Sequence, residues 1–154
     1  MISQELLEGI VIWISNNSQY NKQDALRALS TVSVVEKTMS ECKCLGAAAQ
    51  YDYETKTIIL VKKETPDNKI RTLRSLVHEL VHMLQFKLAK TPLIPLNEVN
   101  SIEFWKYTFY NIEHEAYVIG DKFDVAYFNV PPMTKEKLEQ KTWGSVIIDM
   151  RSLE

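Results

Sequence analysis

The sequence predicts an α+β fold. Helical stripes of apolar residues occupy both ends of the chain, and two short β-rich runs joined by polar residues precede its most periodic stretch. Its 154 residues are enough for one domain with a real core, 1–154. Apolar residues make up 45% and charged residues 25%, the balance of an ordinary globular protein. A formal charge of −2 excludes a strongly basic protein, and no nucleic-acid signature accompanies it. No apolar run approaches the roughly 18–20 residues needed to cross a bilayer, so no membrane partner is expected. Residues 1–13 carry Glu5 and Glu8 and no basic stretch, unlike a secretory signal. Cys42 and Cys44 lie one residue apart, a poor disulfide framework. That pair favours a reducing, cytoplasmic setting, with a metal or redox site as its alternative use.

In residues 3–15, Leu6, Leu7, Ile10, Trp13 and Ile14 recur at three- and four-residue steps, with Ser3 as N-cap and Asn16, Asn17 and Ser18 as the stop. A second short helix is expected over 22–29. Residues 31–35 are β-branched but short, and leave helix and strand open. From Leu45 onward, GAAAQYDY, a polar Glu54-Thr55-Lys56 turn and TIILV read as an antiparallel hairpin. Thr65-Pro66-Asp67-Asn68 is a loop with a helix start. Residues 70–89 form the longest periodic stretch: Ile70, Leu73, Val77, Leu80 and Leu84, widened by Leu76 and Val81, predict a largely buried helix. Pro92 and Pro95 open a loop. Another helix is expected over about 99–123, interrupted near Asn111, then a Pro131-Pro132 loop, a short helix and an apolar TWGSVIIDM run.

Inside the 70–89 stretch lies HELVH, which uses two of the chain's three histidines, His78 and His82. Residues four apart share a helix face, so both imidazoles can address one ion. Zinc accepts neutral imidazole at roughly 2.0–2.1 Å. Glu79 is offset by about 100 degrees from His78, which suits it to hold a water and take its proton rather than to ligate. The surrounding helix is apolar, and unpaired imidazoles and a carboxylate would be costly to bury there without a purpose.

A catalytic zinc site usually has three protein ligands, and residues 111–117 supply the remaining candidates. Glu113 shares a face with the small Ala116 and Gly120. Glu115 lies on the side of Ile112, Val118 and Ile119. His114, between Tyr110 and Lys122 in projection, would give a three-histidine set.

At these residues the chain resembles the zincin metallopeptidases of the glutamate-zincin type, in which HExxH is followed by a glutamate in an E-x-x-A-[DN] context on a later helix. Glu113 and Ala116 match, while Tyr117 departs from the last position. In those families that position often supports a ligating histidine, so its loss leaves that role unassigned, with Asp121 and Asp124 as candidates. The layout also resembles small cytoplasmic ImmA/IrrE-like and SprT-like metallopeptidases, over residues 45–123. The resemblance implies a minimal zincin-like domain, with a small antiparallel sheet or hairpin packed on the HExxH helix and a later glutamate-bearing helix. The third histidine of metzincins is absent, position 88 being Leu.

These residues together imply a zinc-dependent peptidase acting on protein or peptide substrates, with Glu79 as general base. The metal ligands would be His78, His82 and one of Glu113, Glu115 or His114. Tyr117 or Tyr110 is a candidate donor to the oxyanion, and the GAAAQYDY strand is a candidate edge for an extended substrate. A zinc-binding regulatory module without hydrolysis, and hydrolysis of a non-peptide amide, are the competing functions. The aromatic run FWKYTFY reads as core.

Overall fold

The computed structural model describes residues 2–38, 40–41, 49–52, 54–62, 69–88 and 102–151. Along the chain come α1 (Gln4–Asn16), α2 (Lys22–Ser30), β1 (Ser33–Thr38), β2 (Ala49–Asp52), β3 (Thr57–Lys62), α3 (Lys69–Lys87), α4 (Ile102–Phe128) and α5 (Lys135–Arg151). Among the described residues these helices and one three-stranded sheet make the fold α+β, as the sequence implied. Cys42, Cys44, residues 46–48 of the candidate substrate edge, and the loops at 65–68 and 91–95 lie outside the described residues. The chain divides into two compact units, Met1–Leu88 and Ala89–Glu154.

In the first unit, local chemistry sets the helix ends. The Ser3 hydroxyl accepts the Leu6 amide at 3.1 Å, and Asn21 Oδ1 accepts the amides of Gln23 and Asp24. Such caps are worth about 1 kcal/mol each. Leu7, Ile10, Val11 and Ile14 of α1 and Ala25, Ala28 and Leu29 of α2 turn inward, on the spacing that a helix imposes.

The strand order is β1-β3-β2. β2 and β3 form the expected antiparallel hairpin, pairing Ala49 with Leu60 and Tyr51 with Ile58. The 31–35 run becomes β1, which pairs with β3 in parallel from Ser33↔Thr57 to Thr38↔Lys62. The sheet is therefore mixed, not antiparallel throughout. A parallel partner cannot be reached through a tight turn, and no local signal announces it.

The hairpin turn lacks glycine and uses two other devices. Asp52 Oδ1 accepts the amides of Glu54 and Thr55 at 3.0 and 3.3 Å, an Asx-type closure. Lys56 takes a left-handed conformation, φ 54°.

Period-two alternation puts Ala49, Tyr51, Ile58 and Leu60 on one buried face, and α3 packs on β2 and β3. From α3, Leu76, Val77, Leu80, Val81, Met83 and Leu84 have no exposed surface. Burying each such side chain stabilises by roughly 1.5–3 kcal/mol, so α3 is the organising element of this unit. It also meets α1 and α2. There the Lys87 ammonium donates to Thr31 Oγ1 at 2.7 Å. Burial holds the Lys87 pKa below its ordinary value, with Lys56 adding repulsion.

In the second unit α4 runs unbroken for 27 residues, about 40 Å at 1.5 Å per residue. The expected interruption at Asn111 does not occur, because that residue is exposed and its amide stays solvated. α5 absorbs the apolar TWGSVIIDM run into one helix, burying Thr142 and Val146 and leaving Ile147 and Ile148 exposed. Tyr110 Oη donates to Glu139 at 2.6 Å, His114 Nδ1 meets Thr142 Oγ1 at 3.4 Å, and Tyr117 Oη meets Ser145 Oγ at 2.6 Å. These three contacts, with the packing of the two helices, join α4 to α5. The connector between them leaves α4 at Asn129, in a left-handed conformation (φ 52°). It doubles back and is held where the Asp121 carboxylate accepts the Met133 amide at 3.1 Å. Among the described residues no helix is long and apolar enough to cross a membrane.

An L-residue in the left-handed region costs roughly 1–2 kcal/mol, and glycine returns part of that through its own entropy, about 0.5–1 kcal/mol. Lys56→Gly is therefore expected to stabilise the protein by about 0.5–1 kcal/mol, read as a higher midpoint in urea. An unchanged or lower midpoint contradicts this account of the turn.

Candidate metal centre

Helix α3 sorts its polar residues by angle. At about 100 degrees per residue, His78, His82 and Gln85 fall on one narrow stripe at the margin of the apolar face. Glu79 and Phe86 fall on the next stripe, beside the hairpin. Phe86 meets the Tyr51 ring with centroids 6.0 Å apart, which fixes the rotation of α3 about its own axis. Burial raises the Tyr51 phenol pKa, and the charge of Asp52 adds to the effect.

The two histidines converge. Their Nε2 atoms are 3.0 Å apart, and the rings stand edge to face with centroids 4.6 Å apart. His82 is buried and His78 half-buried. The other ring nitrogen of His82, Nδ1, lies 2.8 Å from Gln85 Oε1. An amide oxygen only accepts, so this contact puts the proton on His82 Nδ1 and a lone pair on its Nε2. Two nitrogens 3.0 Å apart can both lie within the roughly 2.0–2.1 Å that zinc–imidazole bonds require. The donor set thus fits a borderline cation.

Glu79 is tied to the sheet. Its Oε2 accepts the main-chain amide of Tyr51 at 2.8 Å. Tyr51 faces Ile58 in the ladder, yet its amide goes to α3. It therefore occupies a non-hydrogen-bonded position, with its main-chain groups directed to the outer edge of β2. The candidate base and the candidate substrate edge meet at this one bond.

The remaining expected site residues lie on α4, in the second unit. Glu113 is buried and Glu115 half-buried. His114 points Nδ1 at Thr142, whose hydroxyl donates to the Leu138 carbonyl at 2.7 Å. The imidazole must then be the donor in that pair. Its ring also stacks on Tyr110 at 5.3 Å. Both tyrosines proposed as oxyanion donors are engaged with α5, Tyr117 through Ser145 and Tyr110 through Glu139. The bond to Glu139 raises the Tyr110 pKa, with burial and the carboxylate's charge adding to it. Tyr117 would have to leave Ser145 to serve an oxyanion. Asp121 and Asp124 are buried, and Asp121 holds the connector to α5.

Sequence reasoning missed two groups, the Tyr51 amide and Gln85. Gln85 stands three residues beyond His82 and seven beyond His78, spacing that places it on the histidine stripe. The Tyr51 amide had no signal of its own, because main-chain donors are invisible in a sequence. No family model matches the chain, and no curated protein or solved structure does either.

A hydrogen bond from a main-chain amide to a carboxylate is worth about 1.5–3 kcal/mol net. Hydrogen exchange at the Tyr51 amide, followed by NMR, is therefore expected to accelerate roughly 10- to 100-fold in Glu79→Ala, and to stay near wild type in Glu79→Gln, which keeps an acceptor oxygen. Equal exchange in wild type and Glu79→Ala contradicts the assignment.

Proposed function

We propose that this protein is a zinc-dependent peptidase whose metal is held by His78, His82 and Glu113. The observation that carries the reading is the 3.0 Å approach of two imidazole nitrogens on one helix face, with a carboxylate on the adjacent residue. A buried imidazole, His82, beside a half-buried one with no ion would be an expensive use of core surface. Glu113 is preferred to Glu115 because it is the more buried residue of the two, and because it heads the E-x-x-A pattern. Buried carboxylates are ordinarily paired or coordinated to metals.

Bound at these residues, zinc would supply Lewis-acid polarisation of a carbonyl and a more acidic water. Glu79 supplies the base. The Tyr51 amide orients this carboxylate through Oε2, and the carboxylate is assigned to take the proton from the attacking water and to pass it to the leaving amine. With its amide given to Glu79, Tyr51 offers its carbonyl at the outer edge of β2 to an extended substrate. In this reading the strand that aligns the scissile bond also aligns the base.

A second reading, a zinc-binding module that hydrolyses nothing, draws on the same Glu79–Tyr51 bond. A carboxylate clamped to a strand has a structural role of its own.

Incubating the zinc-loaded protein with a denatured proteome, with and without chelator, and mapping the cleavage sites separates the two. Chelator-sensitive cleavage is expected of wild type. Glu79→Gln should keep zinc and lose hydrolysis by at least about 10²-fold, the scale of general-base catalysis. His82→Ala should lose both, and equal activity in wild type and Glu79→Gln would refute the peptidase reading. In the same series Glu113→Ala is expected to lose zinc and Glu115→Ala to retain it. The reverse pattern reassigns the third ligand.

A further inference from the structure

We propose that Gln85 is a positioning residue: its side-chain oxygen locks His82 in the tautomer that presents a bare Nε2 to the metal. The inference rests on the zinc reading above and names the group that prepares one of its ligands.

Four observations build it. Gln85 sits one turn beyond His82, where i,i+3 side chains meet, and the two atoms are 2.8 Å apart. His82 is only 9% exposed, so its Nδ1 has little recourse to water and needs a partner within the protein. With the proton fixed on Nδ1, the Nε2 lone pair faces His78 Nε2 at 3.0 Å. His78 then donates its own Nε2 proton to that lone pair in the metal-free protein. An ion entering between the rings meets one nitrogen already bare, on His82, and binds His78 Nε2 once the proton there has moved to Nδ1 of the same ring.

The chemistry of the amide matters as much as its position. Ligating histidines are commonly oriented by a hydrogen-bond acceptor on the other ring nitrogen, and losing it costs roughly 10- to 100-fold in metal affinity. Here the acceptor is neutral and does not titrate, so it sets the tautomer without adding charge beside the ion. It comes from the ligand's own helix, so the orientation survives any movement of other elements. Reversing the amide would present its NH₂ to Nδ1 and force the proton onto Nε2, where it would block the ion. The tautomer of His82 is therefore the direct readout.

The test compares wild type, Gln85→Met and Gln85→Glu. Methionine keeps the length and helix preference of glutamine without the strong acceptor, while glutamate restores an acceptor. Imidazole ¹⁵N shifts of the metal-free proteins report the tautomer, and competition with a chromogenic chelator reports zinc affinity. Wild-type His82 is expected to carry its proton on Nδ1. Gln85→Met should lose that preference and bind zinc about 10- to 100-fold more weakly. Gln85→Glu should restore the Nδ1 proton and bind zinc at least as tightly as wild type. An unchanged tautomer and affinity in Gln85→Met would overturn the proposal, as would a Gln85→Glu protein as weak as Gln85→Met. If wild type itself took up no zinc, the zinc reading would fall, while the tautomer comparison would still decide whether Gln85 controls His82.

Discussion

Packing α3 against the β2–β3 hairpin accompanies the burial of His82 and the half-burial of His78 and Glu79, and each finds a partner inside the protein. Six residues of that helix lose all exposed surface, and this fixes both its rotation and its depth. His82 turns one ring nitrogen to Gln85 and the other to His78, while Glu79 reaches across to the Tyr51 amide. The geometry of the candidate centre follows from how a hydrophobic helix is buried. Its polar stripe is left at the margin with few orientations that satisfy every donor and acceptor.

The same packing explains why the base and the sheet are joined. Tyr51 is buried on the face shared with Ala49, Ile58 and Leu60, so its side chain anchors β2 to α3. The next polar group along that contact is its own amide, directed to the strand's outer edge. Glu79 lies on the α3 stripe beside that edge, one heptad before Phe86, which touches the Tyr51 ring. Aromatic packing and the carboxylate–amide bond thus describe one contact between helix and strand, and they position the carboxylate that the proposed chemistry needs.

Much of this was legible in the sequence where the signal is local. Ser3, the three- and four-residue steps of α1 and the stripe of α3 predicted those helices nearly to the residue, because capping and amphipathic spacing act within a few positions. The hairpin was legible from the β-branched TIILV run and the short segment before it, though its turn relies on Asp52 and a left-handed Lys56 where glycine or asparagine would have been the sign. β1 was not legible, since its parallel pairing with β3 joins Ser33 to Thr57. The apolar TWGSVIIDM run carried no assignment of its own in the sequence, and it continues α5, where Val146 is buried and Ile147 and Ile148 are exposed. At the site, the histidine spacing was plain, whereas the tautomer set by Gln85 and the amide given by Tyr51 depend on side-chain rotamers and strand register.

The central claim is that two α3 imidazoles share one ion. X-ray absorption at the zinc edge of the protein loaded with one equivalent tests it most directly. The account predicts a first shell of nitrogen and oxygen only, near 2.0–2.1 Å, with the outer-shell scattering of two imidazoles. A shell containing sulfur at about 2.3 Å would move the metal to Cys42 and Cys44, and the absence of imidazole scattering would contradict the claim outright.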